Sequence, residues 1–229
     1  SGSEANFAKP EQKKIWLSDS IESFKKSGKG WPVKKISEAL SLNTVKDLIF
    51  HFPERHEDFS KIRKISDLIK GETQSTELTV KSLQLKKSRN GKHNWVEVEF
   101  SDSTGLMKVT FFGQQWIVQD LKPGDRVMLS GKVEYEKRKP IYKNPVYERI
   151  IPRVIKLHTG RLVPVYRLTQ GIYMKPMRRE IHAALASALD QLDEYLPESL
   201  LNRTGLYPIR KAVARYHYPK DIRDFNRAR

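Results

Sequence analysis

Residues 78–147 hold the feature that most limits how this chain can fold, because apolar and polar residues alternate there with a period of two. Such alternation predicts half-buried β-strands, and Gly, Pro, Asn and Asp residues divide it into separate runs. The predicted strands cover residues 78–85, 95–100, 106–112, 126–135 and 140–147. Five strands with one irregular segment between the third and the fourth, here 113–121, match the plan of an OB-fold barrel.

Three aromatic residues lie at the end of the third predicted strand. Phe111 and Phe112 are its last two residues, and Trp116 follows four residues later. Phe111 and Phe112 are neighbours, so in a strand their side chains point to opposite faces. Phe111 shares the parity of Val109, which predicts Phe111 in the barrel core and Phe112 outward. For Trp116 the sequence leaves two positions open: exposed, or plugging the end of the barrel. Exposed rings on an OB-fold suit unpaired bases, because every base has a face on which a ring can stack.

Two connections between the predicted strands are rich in positive charge. They join the first strand to the second and the fourth to the fifth, and their cations are Lys86, Lys87, Arg89, Lys92, Lys137, Arg138 and Lys139. OB-folds grip nucleic acids with these two connections, and the net charge of +16 favours a polyanionic partner. We expect these side chains to contact a phosphate backbone. The alternative for the first loop is a solvated hairpin in which Asn90-Gly91 only makes the turn.

Helical periodicity flanks the barrel on both sides. We predict helices over 10–28 and 33–41, a third that Asn43 or Thr44 caps and Pro53 ends, and others over 175–194, 197–204 and 208–216. The expected fold class is α+β. It consists of an N-terminal helical region (1–72), a central five-stranded OB-fold barrel (73–150) and a C-terminal helical segment (151–229). Ser1-Gly2-Ser3 looks like the remnant of a cleaved tag, and the basic stretch after Tyr218 ends without a closing signal.

Several classes of chemistry lack their sequence signals. The chain has no cysteine, so it offers neither a disulfide nor a cysteine-based zinc site, and its six histidines show no metal-ligand spacing. It has no phosphate-binding G-x-x-x-x-G-K-[ST] loop, no signal peptide and no apolar run near the ~20 residues that span a bilayer. We therefore expect a soluble chain that binds rather than catalyses, without a cofactor or metal of its own.

Five segments, in this order, resemble the N-terminal wedge region of RecG-type DNA helicases. They are 43–58 (NTVKDLIFHFPERHED), 102–105 (DSTG), 111–116 (FFGQQW), 164–171 (PVYRLTQG) and 216–221 (YHYPKD). The resemblance implies that an aromatic pair on the OB-fold, here Phe112 and Trp116, stacks on bases at a DNA branch point. The family more often has Tyr at the second position. Gly30-Trp31-Pro32 departs from the family's G-x-G turn, and Glu54 and His56 stand where basic and Tyr residues are expected.

The resemblance also implies properties of a longer protein. That protein would be an ATP-dependent helicase of fork rescue and recombinational repair, with ATP and Mg²⁺ bound by motor domains absent from this chain. Its partners would be forks, junctions and single-stranded DNA, with a single-stranded DNA-binding protein as an additional candidate. A monomer without membrane contact, in the bacterial cytoplasm at the nucleoid, is expected.

We therefore hypothesise that the chain binds branched DNA selectively and that its wedge separates the strands. Two alternatives stay open at this point. One is an OB module for RNA or single-stranded DNA, and the other is a protein-interaction module in which the aromatic residues meet a protein partner.

Overall fold

The computed structural model describes residues 14–23, 33–89 and 93–229. Their contacts form two compact units. A helical unit holds the described residues of Ser1–His51 with Leu168–Ala214, and a barrel unit holds those of Phe52–Arg167 with Arg215–Arg229. The predicted boundaries after residues 72 and 150 divide the chain in sequence order and stay a prediction, whereas the contacts join segments that are distant in sequence.

The barrel unit is built from antiparallel strands and confirms the predicted α+β fold with an OB-fold barrel. The strands, in chain order, are β1 (Arg55–Asp58), β2 (Thr73–Lys87), β3 (Asn94–Ser101), β4 (Leu106–Phe112), β5 (Arg126–Glu136), β6 (Lys139–Tyr142), β7 (Val146–Arg149) and β8 (Leu162–Val165). The main sheet has the order β4-β3-β2-β5-β6, and β7 also pairs with β5. A parallel bridge between Thr110 of β4 and Lys143, the residue directly after β6, joins the two ends of this strand order, so the sheet curls upon itself.

Much of the barrel core consists of strand residues that the period of two predicts to point inward. Alternate residues of the strands are buried together, among them Val96, Val98 and Phe100 of β3 and Val109 and Phe111 of β4. Burial of such side chains contributes roughly 1.5–3 kcal/mol each and is the main force that holds the curled sheet together.

The last predicted strand, 140–147, is interrupted. β6 pairs with the second half of β5 and β7 with the first half, and residues 143–145 separate them. Asn144 has φ of 43°, a left-handed conformation that no strand accommodates, and Pro145 follows it. One long strand therefore becomes two short ones around a bend.

A second, two-stranded sheet lies outside the prediction. β1 pairs with β8 over four residues, from Arg55 opposite Val165 to Asp58 opposite Leu162. The two strands are more than 100 residues apart in sequence and too short to show a period, so their pairing is a tertiary feature.

The helices are α1 (Val33–Leu40), α2 (Val45–Phe50), α3 (Ile117–Asp120), α4 (Met174–Ala188), α5 (Glu198–Thr204), α6 (Ile209–His217) and α7 (Ile222–Ala228). Thr44 is the N-cap of α2, and its hydroxyl accepts from the Asp47 N–H while the Asp47 carboxylate accepts from the Thr44 N–H. This reciprocal capping box confirms the predicted cap. Met177, Ile181 and Leu185, which lie along one side of α4, are buried. None of the helices in the described part of the chain combines the length and apolar character that crossing a bilayer requires.

The prediction of a helix over 10–28 is wrong for the residues of this range that the structure describes. Residues 10–13 and 24–28 lie outside the described residues, and 14–23 form turns instead. Asp19 accepts the N–H of Trp16 through its side chain, 2.9 Å away, and this local bond competes with helical pairing. The Ile21 N–H donates to the Asn43 carbonyl, so the segment pairs with the start of α2.

Candidate nucleic-acid interface

Phe111 and Phe112 end β4 on opposite faces of the barrel wall. Phe111 is 0% exposed and its ring lies 5.9 Å from that of Tyr147, edge to face. Phe112 is 59% exposed. The prediction that Phe111 points inward and Phe112 outward is therefore confirmed. The Phe112 ring faces solvent at the end of β4, and the residue before it, Phe111, is buried in the core.

The turn after Phe112 holds this ring at the sheet margin. The Phe112 N–H donates to the Asn144 side-chain oxygen, 3.0 Å away, where the next ladder bond would form. Gly113 has φ of 67°, a conformation that favours glycine, and it redirects the chain out of the strand.

Trp116 stands immediately before α3 and is 56% exposed. Of the two positions that the sequence allows, the structure shows the exposed one. Ile117, its neighbour, is fully buried in the barrel core together with Leu121. One turn of helix thus places an aliphatic side chain inside the barrel and an indole outside it.

A chain of hydrogen bonds lies next to the Trp116 indole. The Trp116 side chain is close enough to the Tyr147 hydroxyl to influence its pKa. The Tyr147 hydroxyl donates to Asp120 Oδ2 over 2.8 Å, and Arg149 Nη2 donates to Asp120 Oδ1 over 2.7 Å. Burial and the bond to Asp120 raise the pKa of Tyr147 above its ordinary value, so this hydroxyl keeps its proton at neutral pH.

Sequence reasoning missed Tyr147, Asp120 and Arg149 as residues that position Trp116. Asp120 lies in α3, whereas Tyr147 and Arg149 lie in β7, 27 and 29 residues later. The spacing of i and i+2 in β7 puts Tyr147 and Arg149 on one face. No local signal links that face to α3, since the link exists only after the barrel has closed.

The first basic loop lies close to Phe112. β2 pairs with β3 so that Lys87 is opposite Asn94, and Trp95 of β3 is opposite Phe112. Lys87 and Arg89 are exposed, whereas the predicted contact residue Lys92, with Asn90-Gly91, lies outside the described residues.

Lys86 differs from the other cations of this loop because a carboxylate already holds it. Its ammonium is 2.5 Å from Glu97 Oε2, across the β2–β3 pair. Hydrogen bonds from Lys86 and from the Trp95 indole lower the pKa of Glu97, so this carboxylate is ionised at neutral pH. Part of the charge of Lys86 is thereby compensated before any ligand arrives.

The second basic loop is a two-residue hairpin between β5 and β6, flanked by the pair Glu136 and Lys139. Lys137 has φ of 48° and Arg138 has φ of 66°, and both side chains are exposed. Positive φ at both central residues is the geometry of a type I′ turn, which normally takes Asn-Gly.

The structure does not bring the two basic loops together. Lys143, the residue directly after β6, forms a parallel bridge with Thr110 of β4. Lys139 precedes Lys143 by four residues and therefore lies on the Leu106 side of β4, away from Phe112. The first loop is at the aromatic end of the barrel wall, and the second is towards the opposite end.

Three further positions at which this sequence differs from the family's pattern have no place in the aromatic site described above. His56 Nε2 lies 3.2 Å from the His217 carbonyl oxygen, and its ring packs on the edge of Phe225. Glu54 is exposed, and Gly30-Trp31-Pro32 lies outside the described residues. In the part of the chain that the structure describes, no group of three His, Asp or Glu side chains could hold a metal ion.

The RecG wedge domain family matches residues 23–188 of the chain. The ATP-dependent DNA helicase RecG of Thermotoga maritima is 30% identical over 86% of this chain and 25% of its own length. The RecG of Synechocystis is 29% identical over 85% of the chain and 25% of its own length. A solved structure of RecG bound to a three-way DNA junction superposes with a TM-score of 0.74 at 28% identity, over 93% of this chain and 28% of that one. The chain thus spans about a quarter of the relatives that it matches.

Proposed function

The chain belongs to the RecG wedge domain family, and we propose that it binds branched DNA at the branch point and separates the strands there. The observation that carries the proposal is the pair of exposed aromatic residues, Phe112 and Trp116, around a single turn of the barrel wall. Their neighbours Phe111 and Ile117 are buried in the core, so both exposed rings sit on a rigid support. The RecG structure with a three-way junction supports DNA of this shape as the ligand.

Strand separation follows from what a fixed aromatic ring does to a base pair. At a branch point the last base pair has lost one stacking neighbour, and a ring can take that neighbour's place on one base. Base–aromatic stacking is worth about 1–3 kcal/mol per base, comparable to the unstacking that it offsets. The bond from the Tyr147 hydroxyl to Asp120 ties β7 to α3, and so supports the short helix at whose start Trp116 stands.

The basic loops supply affinity without selecting a sequence. Lys87 and Arg89 beside Phe112, and Lys137, Arg138 and Lys139 towards the other end of β4, are exposed cations that can neutralise phosphates. Backbone contacts of this kind position a protein on DNA and carry no base information. Selectivity for a branch then comes from the aromatic residues.

For the longer protein we propose the activity of its relatives, ATP-dependent DNA unwinding in fork rescue and recombinational repair. ATP and Mg²⁺ would then be bound by motor domains outside this chain, which contributes DNA binding. We further propose that the protein acts as a monomer at the nucleoid and meets a single-stranded DNA-binding protein there.

The test compares binding to a three-way fork, a linear duplex, single-stranded DNA and a structured RNA. We expect the fork to bind most tightly, and Phe112→Ala and Trp116→Ala each to weaken it by about 1–3 kcal/mol, with a smaller loss on the duplex. Tyr195→Ala removes an even more exposed aromatic ring from the helical unit and should leave binding unchanged. Preferred binding of RNA, or unchanged fork preference in both folded variants, would overturn the proposal.

The rival interaction-module hypothesis makes an opposite prediction for salt. Association driven by the aromatic side chains and a protein partner would be almost insensitive to salt, whereas DNA binding through lysines and arginines weakens steeply as salt is added. Measuring the fork affinity at four salt concentrations separates the two.

A further inference from the structure

Trp95 lies beside Phe112 on the outer face of the barrel. The two are directly paired across β3 and β4, and paired residues share a face about 5 Å apart. The next pair on the opposite face, Val96 with Phe111, is fully buried. Trp95, which is half-buried, therefore continues the aromatic surface by one strand. Its parity with Glu97 and Glu99 in the sequence is a signal that it points outward.

The Trp95 indole is held in a defined orientation. Its N–H donates to Glu97 Oε1 over 3.1 Å, two residues along the same face of β3. The other carboxylate oxygen of Glu97 binds the Lys86 ammonium. Glu97 is thus a positioning residue that ties an aromatic ring and a cation together.

Lys86, Trp95 and Phe112 form a row across three strands, because Lys86 is opposite Trp95 in the β2–β3 pair. We call this set the cross-strand row. Its Lys86 end leads to the exposed cations Lys87 and Arg89. Two aromatic faces that lead to exposed cations suit a single strand of nucleic acid, because its bases can stack and its phosphates can be neutralised.

The outer face of β3 beyond Trp95 is acidic and limits the path of such a strand. Glu97 and Glu99 stand on β3 behind Trp95, on the side away from the first basic loop. Lys86 and Lys108 pair with them, at 2.5 Å and 3.8 Å, so these cations only offset the acids. A DNA strand that ran along β3 would meet both carboxylates, whereas one that crosses the strands at Trp95 avoids Glu99.

We propose that the cross-strand row binds a single-stranded DNA arm as it leaves the branch point, and that Trp95 stacks on a base next to the one held by Phe112. This inference rests on the proposed function, since it needs the branch point at Phe112. It adds a third stacking residue and gives the arm a direction, from β4 across β3 towards β2.

Two three-way substrates test the proposal, one with a single-stranded arm of about ten nucleotides and one with that arm duplex, both with the same branch point. Trp95→Leu keeps an apolar side chain against the sheet and removes the flat face, whereas Trp95→Phe keeps a face. We expect Trp95→Leu to lose roughly 5- to 150-fold in affinity for the first substrate and little for the second. Trp95→Phe should stay close to the wild type on both.

Three results would decide against Trp95. Equal losses for Trp95→Leu and Trp95→Phe would indicate a packing role, equal losses on both substrates a general effect, and no loss on either would exclude a contact. Thermal melting of both variants shows whether they are folded. Phe112→Ala and Trp116→Ala are measured alongside: if they also bind as the wild type does, the proposed function itself fails, and if they weaken binding while Trp95→Leu does not, only the path over Trp95 fails.

Discussion

At the scale of single residues, neighbours in the sequence take opposite roles at the aromatic end of the barrel. Phe111 and Ile117 have no exposed surface, while Phe112 and Trp116 expose more than half of theirs. For the phenylalanines the alternation of a strand decides which is which. For Trp116 and Ile117, the position on a single helical turn decides which side chain is buried, and a shift of the helix by one residue would exchange the two roles.

The contrast between Trp116 and Ile117 gives a stability prediction. Ile117→Ala should lower the free energy of unfolding by about 2–5 kcal/mol, because it leaves a cavity in the barrel core. Trp116→Ala should change it by much less, since an exposed ring contributes little to the core. Denaturant unfolding of both variants measures the difference. If Trp116→Ala is as destabilising as Ile117→Ala, the indole stabilises the fold, and its exposed position in the structure is not evidence for a role in binding.

At the scale of secondary-structure elements, the β5–β6 hairpin keeps a conformation that its residues disfavour. Lys137 and Arg138 both have positive φ. Non-glycine residues in this region cost roughly 1–3 kcal/mol each. Strained residues persist where their side chains are needed, and here the side chains are two exposed cations at a barrel tip.

Replacing both turn residues should separate stability from binding. Lys137→Asn with Arg138→Gly supplies the residues that a type I′ turn prefers, so we expect the protein to gain about 1 kcal/mol of stability. Fork affinity should fall, because two phosphate contacts are lost. Arg153→Gly is a matched control: Arg153 is exposed with φ of 65° but lies outside both basic loops, so it should leave affinity unchanged. Unaltered fork binding by the double variant would remove this hairpin from the interface.

A second element, the turn between β3 and β4, depends on one carboxylate. Asp102 accepts the N–H groups of Thr104 and Gly105 within the turn and that of Ile65, 37 residues earlier. Burial alone would raise the pKa of Asp102, but the hydrogen bonds from Thr104, Ile65 and Gly105 outweigh it and lower the pKa below the ordinary 3.8.

This lowered pKa predicts a loss of stability in acid. Because the folded state holds the carboxylate ionised, Asp102 stabilises the fold at pH values above its unfolded pKa. That contribution disappears as the pH falls through the unfolded and then the folded value. Asp102→Asn should therefore reduce stability at about pH 7 and flatten the decline between about pH 5 and pH 3. Thermal melting across this range checks it, and a variant with the wild-type pH profile would contradict it.

At the scale of the whole molecule, net charge bears on the proposed DNA binding. The net charge of +16 attracts a polyanion from a distance, but only cations at the interface release counterions. Among the described residues of the two loops, the exposed cations are Lys87, Arg89, Lys137, Arg138 and Lys139. If each neutralises one phosphate, log K should fall with log salt with a slope of about −4. A slope near zero would contradict an electrostatic interface.

Charge reversal in the first loop tests the same picture. Lys87→Glu with Arg89→Glu should weaken forked and linear DNA about equally and make the slope shallower, because backbone contacts do not select a structure. Arg203→Glu changes net charge in the same sense within the helical unit and should leave the slope as it is. A loss confined to forks would assign these residues to branch recognition instead.

The sequence by itself determined the barrel and the outward position of Phe112. Both follow from local alternation, which a strand converts into two faces whatever the rest of the chain does. It also predicted a cap at Asn43 or Thr44, because a cap involves only residues within one turn, and the structure has it at Thr44.

Only the tertiary structure decided the position of Trp116, the partner of Lys86 and the separation of the two basic loops. Ile117 and not Trp116 is buried in the barrel core. Lys86 meets Glu97 through strand register. β1 pairs with β8, and Tyr147 of β7 binds Asp120 of α3 from more than 25 residues away. Each of these contacts joins segments that are distant in sequence, and no pattern within a segment specifies which distant backbone will lie beside it.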